Sequence, residues 1–71
     1  MKVEKLMAFI IECLHKAEKE TTASGRQAFF YMAFGAVQFA LDHDMPSEVR
    51  CAIAMGWEED YRPKFEELIW G

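Results

Sequence analysis

The chain has 71 residues, a formal net charge of −4 and 52% apolar residues, among them six Phe, two Trp, two Tyr and five Met. This length supports one domain, and a domain so small hides only about 60% of the surface that its unfolded chain exposes. A nucleic-acid binder shows a basic patch; none is visible, so nucleic acid and anionic membrane surfaces are both disfavoured as partners.

Residues 2–20 read as an amphipathic helix. Val3, Leu6, Met7, Ile10, Cys13, Leu14 and Ala17 recur at helical spacing, and Phe9 and Ile11 widen the apolar face on either side. Glu12, His15, Lys16 and Lys19 form the opposite face, where Glu12 and Lys16 make a favourable i,i+4 pair. The short polar connection that follows, Thr21-Thr22, implies that the first two helices pack antiparallel.

Residues 24–42 read as a second, central helix, and Arg26 to Leu41 carry one formal charge and four Phe. At about 100° per residue, Phe30, Phe34, Val37 and Leu41 share one stripe, while Met32 and Phe39 share a roughly opposite one. Between them runs a strip of small residues, Ala33, Ala36 and Ala40, headed by Phe29, that invites close approach of another helix or of a second copy of the same one. Gly35 costs about 1 kcal/mol inside a helix relative to Ala, so a close contact is expected there too. A helix apolar almost all round is a buried one. It is too short, and too interrupted by Gln27 and Gln38, to supply the roughly 20 apolar residues of a membrane span. Ser24 with Gln27 fits a capping box, with Thr21 and Thr22 as rival caps. Asp42-His43-Asp44 and Met45-Pro46 end the helix, since the residue before a proline leaves the helical region.

Residues 46–58 read as a third helix with Pro46 in its first turn, Asp44 or Ser47 as its cap, and Glu48 near the positive end of its dipole. Val49, Ala52, Ile53, Gly56 and Trp57 form its inward face, with Ala54 and Met55 outside. Glu58 to Arg62 either continues this helix or turns, and Pro63 interrupts any continuous α-helix. A short last helix, residues 63–70, presents Phe65, Leu68 and Ile69 on one side. It is too short to be helical alone in water and must dock. The expected fold is therefore all-α: a small bundle of three main helices plus a short C-terminal one.

Several polar groups invite a chemical reading, and each has a plainer one. Glu12 and His15 have the Glu-x-x-His spacing of carboxylate-bridged metal bundles, yet both lie on the polar face and the second helix offers no carboxylate to meet them; a solvated face is expected, with no metal and no cofactor. Asp42-His43-Asp44 reads as a helix end, because Asp competes for backbone amides there. Cys13 and Cys51 read as small hydrophobes, since a reactive thiol needs positive neighbours and partial exposure. Glu58-Glu59-Asp60 concentrates acid near the C-terminal end beside Trp57, Tyr61, Arg62 and Trp70. No phosphate loop, nucleophile elbow or zinc pattern is present.

With no base, nucleophile and electrophile to bring together, the chain is expected not to be an enzyme. Its apolar surplus points to protein–protein association, first as a homo-oligomer, because closed two-fold dimers are the common solution. Phe29, Phe30 and Phe34 of the second helix, with Trp57, Tyr61, Arg62 and Trp70, are the candidate contact residues. Two other readings stand beside this one: an acidic regulator that mimics nucleic acid, and a carrier of a small apolar ligand among Phe30, Met32, Phe34 and Phe39. No secretory signal is seen, so a cytoplasmic location with reduced thiols is expected.

Overall fold

A computed structural model describes residues 3–42 and 45–71. Four α-helical segments follow one another: α1, Val3–Lys19; α2, Ala23–Asp42; α3, Ser47–Gly56; and α4, Arg62–Trp70. Between α3 and α4 the chain does not turn but runs on as one π-helical turn, Trp57–Tyr61. Residues 47–70 therefore form a single rod, about 36 Å long at 1.5 Å per residue, which accounts for most of the 38 Å long axis of the molecule. The fold is the small all-α bundle that the periodicity implies, with three helices rather than four separate ones.

The rod is continuous because the π turn accommodates Pro63. In an unbroken α-helix the Pro63 ring would meet the carbonyl four residues back and remove a hydrogen bond. Here the Arg62 amide donates to the Trp57 carbonyl, five residues back, and Pro63 falls in the first turn of α4, where a missing amide costs little. The extra residue also resets the register. Trp57 and Phe65, eight apart, would stand about 80° apart on an α-helix; absorbing one residue in the wider turn brings them to about 20°. Both are buried, with ring centroids 5.9 Å apart.

The three-residue connection between α1 and α2 folds them into a hairpin. Its cap is Thr22 rather than Ser24: the Gly25 amide donates to Thr22 Oγ1 at 3.1 Å and the Arg26 amide to the Thr22 carbonyl. The helix starts two residues earlier than the Ser24 capping box requires, leaving Ser24 inside its first turn. A Cβ at Gly25 would meet the carboxyl end of the Glu20 side chain and the Thr22 hydroxyl, so a larger residue there requires the Glu20 side chain to move aside. Arg26 then ties three segments together. Its Nε donates to the Glu20 carbonyl at 3.1 Å and its Nη1 to the Leu68 carbonyl at 2.8 Å, joining the end of α1, the start of α2 and the end of α4.

The core consists of Leu6, Ile10, Cys13, Leu14 and Ala17 from α1, Phe30, Ala33, Val37 and Ala40 from α2, and Ile53, Trp57 and Phe65 from the rod. At its centre the Phe30 ring has Phe34, Trp57, Phe65 and Trp70 within 5.6 to 6.1 Å, stacked on Trp57 at an interplanar angle of 18° and edge-on to Trp70 at 90°. The edge contact explains why a Trp stands in the last turn of α4.

Two local expectations need correction. Ala52 is exposed, because α3 is rotated so that Ile53 and Trp57, not Ala52, lead its inner face. Pro46 precedes α3 as its cap, with its carbonyl accepting from the Val49 and Arg50 amides, and Ser47 is the first helical residue, without a side-chain cap bond. Asp44 lies outside the described residues.

The Trp57 indole is buried, and its Nε1 has no hydrogen-bond acceptor among the described residues. A buried donor of that kind costs about 1–3 kcal/mol, so Trp57 is kept for its volume and ring faces. Trp57→Ala is expected to lower unfolding free energy by about 3–5 kcal/mol, enough to unfold much of a domain this small, whereas Trp57→Phe should cost no more than about half of that. Urea titration followed by circular dichroism measures both; equal losses would show that ring packing is not what this residue contributes.

Candidate functional site

The sequence-expected residues divide sharply by depth. Phe30 and Trp57 lie in the core and offer no surface to a second chain. Phe29, Phe34, Tyr61 and Arg62 are half-buried. Only Trp70, at 59% exposure, is open to solvent, and its ring already leans on Phe30. The structure thus gathers Phe30, Phe34, Trp57 and Trp70 into one aromatic cluster that stabilises the fold.

The reason lies in how α2 is turned. Its Ala33 and Ala40 are buried, with Ala36 partly buried against the same core; the small strip is spent inside the chain. The opposite side faces outward. Ala28, Tyr31, Met32, Gly35, Gln38 and Phe39 are all exposed, with Tyr31 at 59%, Met32 at 50% and Phe39 at 54%. Met32 and Phe39 therefore lie away from Phe30 and Phe34, and the four do not line one cavity. The close contact expected at Gly35 is also absent within the chain: a Cβ placed there meets nothing within 4 Å. This outer face carries no formal charge between Arg26 and Asp42. The sequence marked this side only by the narrow polar sector of Gln27, Tyr31 and Gln38 beside the Met32 and Phe39 stripe; Tyr31 and Gln38 are exposed and Gln27 half-buried.

Elsewhere the surface is charged and locally paired. Glu12 and Lys16 form the expected ion pair at 3.1 Å on the outer side of α1. Arg62 Nη1 donates to Glu58 at 2.9 Å, its Nε lies 3.9 Å from Glu66, and its guanidinium stands 5.9 Å from the Phe34 ring centre. Two acids of the C-terminal cluster are thus partly neutralised within the chain, while Glu59, Asp60 and Glu67 are exposed. Among the described residues no cluster of three or more His, Cys, Asp or Glu is placed to hold a metal. The Asp42-His43-Asp44 cluster lies outside the described residues except for Asp42, which ends α2.

Two shallow grooves complete the surface. One, of about 460 Å³, runs between Leu14, Glu18, Arg26, Lys64, Glu67 and Leu68; its two cations and two carboxylates balance, so it favours no ligand charge. The other, of about 330 Å³, is lined by Leu41, Ser47, Arg50, Cys51 and Ala54. The thiols differ in depth: Cys13 is buried and Cys51 exposed. Burial pushes the Cys13 thiol above its ordinary pKa, with Glu12 adding to the shift and Lys16 opposing it. Folding therefore favours the protonated thiol; that contribution is complete below the unfolded pKa and fades as pH rises through the folded one.

No helix among the described residues is long and apolar enough to cross a membrane. Comparison with protein-family models, with curated proteins and with solved structures finds no match to this chain.

Two measurements check this surface. Iodoacetamide near pH 8 should label Cys51 promptly and Cys13 only on unfolding, as read by intact mass; equal rates would contradict the burial of Cys13. Gly35→Ala should raise the unfolding free energy of the monomer by up to about 1 kcal/mol, since the helix gains and the added methyl meets open space. A loss at low protein concentration would show that the site is not open.

Proposed function

We propose that this protein is a small non-enzymatic module that works by protein–protein association, with a homodimer as its first assembly. The observation that carries this reading is that Tyr31, Met32, Phe39, Met55 and Trp70 are each half or more exposed although the chain has few residues with which to cover itself. Tyr31, Met32 and Phe39 share the outer side of α2, and large apolar side chains grouped on one surface mark contacts with other molecules. The unjoined thiols, one of them at the surface, fit a reducing, cytoplasmic setting. The nucleic-acid-mimic reading gains no support, because Arg62 sits inside the acidic cluster and pairs with it. The ligand-carrier reading loses its cavity, because the four residues that would line it face opposite sides of α2.

Sedimentation equilibrium of tag-free protein under reducing conditions tests the association. A reversible monomer–dimer equilibrium is expected, with a dissociation constant on the order of 10 μM for a surface of this extent. A monomer persisting to about 1 mM overturns the homodimer.

A further inference from the structure

The two-fold contact can be placed. Resting on the association reading above, we propose that the partner is a second copy of this chain, docked α2 against α2 in antiparallel orientation, with the two-fold axis passing beside Gly35.

Four observations meet at that position. First, Gly35 lies mid-helix, where glycine is unfavourable by about 1 kcal/mol, and among the described residues nothing lies within 4 Å of the space a Cβ would fill. The glycine has no intramolecular reason, and a neighbouring helix backbone supplies one. Second, the residues around it are arranged symmetrically. Tyr31 stands four residues before Gly35 and Phe39 four after; Met32 stands three before and Gln38 three after; all are exposed on the same side of the helix. An isologous contact pairs residue i with j and j with i, so an antiparallel axis at Gly35 sets each Tyr31 ring against the partner subunit's Phe39 and each Met32 against the partner subunit's Gln38.

Third, charge selects this face over those of Met55 and Trp70. Met55 has Glu58 and Glu59 one turn away, and Trp70 has Glu66 and Glu67. A self-contact through either would bring acids of a −4 chain together, and like charges across an interface cost several kcal/mol. The α2 face has no such penalty. Fourth, the area suffices. A half-exposed aromatic ring leaves roughly 100 Å² to be covered. Tyr31, Met32 and Phe39 with the small positions and Gln38 between them make roughly 500–600 Å² per chain, just at the lower edge of the ~600–1,000 Å² per partner of specific interfaces. The dimer is accordingly a weak one.

The geometry is testable because it fixes distances. With Cα atoms about 2.3 Å from each helix axis and axes about 8–10 Å apart, the two position-35 Cα atoms come within about 3.4–5.4 Å, a range that overlaps the roughly 4.4–6.8 Å of disulfides. In a Cys51→Ser background, Gly35→Cys should oxidise to a covalent dimer at least about tenfold faster than Glu12→Cys on the far side of α1. An equimolar mixture of Tyr31→Cys and Phe39→Cys chains, treated with a short bifunctional maleimide, should give chiefly the mixed product by mass. Circular dichroism confirms that each variant is folded. Like-with-like products would overturn the antiparallel arrangement. A sedimenting dimer in which Gly35→Cys cross-links no faster than Glu12→Cys would overturn the placement while leaving association intact. A monomer at all concentrations would overturn both.

Discussion

The Phe30 ring is what the three helices close upon. It enters from α2, lies flat on Trp57 of the π turn, touches Phe65 of α4 and receives the edge of Trp70 from the last turn. A chain of 71 residues cannot bury many side chains, so stability rests on a few large ones whose ring faces and edges fit. Arg26 closes the same end of the bundle from the polar side, with its two donors on the Glu20 and Leu68 carbonyls. A lysine has no planar fork to reach both.

That cluster depends on the π turn. Trp57 and Phe65 are spaced for different faces of an α-helix, and Pro63 forbids a continuous one. One extra residue in the turn answers both constraints. It widens the helix where Pro63 would clash and rotates Phe65 back onto the stripe of Ile53 and Trp57. The acids Glu58, Glu59 and Asp60 occupy the outer side of that turn because its inner side is filled by the Trp57 ring. Their concentration follows from the geometry of the rod and needs no ligand to explain it.

The helices were legible in the sequence because their signals are periodic and local: the stripe of Leu6, Ile10 and Leu14 on α1, the four Phe of α2, and Pro46 ahead of α3. The orientation of α2 was only weakly marked. The narrow polar sector of Gln27, Tyr31 and Gln38 pointed outward, but a helix apolar on two opposite sides has little amphipathic preference, and what packs against it decides which side turns inward. Ala33 and Ala40 let the α1 backbone come near, and Phe30 reaches across to Trp57, so the inner side is the one that combines small residues with a long ring. The same ambiguity made Trp57 and Phe30 look like contact residues. Buried aromatics anchor both cores and interfaces, and sequence spacing does not separate the two. The continuity of the rod was hidden for another reason: a π turn leaves no mark in hydrophobic period beyond a one-residue slip, which a proline nearby disguises as a break.

What the fold leaves outside follows from what it takes in. Once Phe30 and the alanines face inward, Met32 and Phe39 turn outward on the roughly opposite side of the helix, and Tyr31 is 59% exposed with its ring 5.3 Å from that of Phe30. Gly35 points the same way, since a larger residue would strengthen the helix and meet no neighbour in its own chain. The charges of the molecule stand on α1 and on the rod, and the outer side of α2 is the place where two acidic chains can meet without bringing their carboxylates together. The proposed α2–α2 contact would use that face, which carries no formal charge between Arg26 and Asp42 and is centred on a glycine.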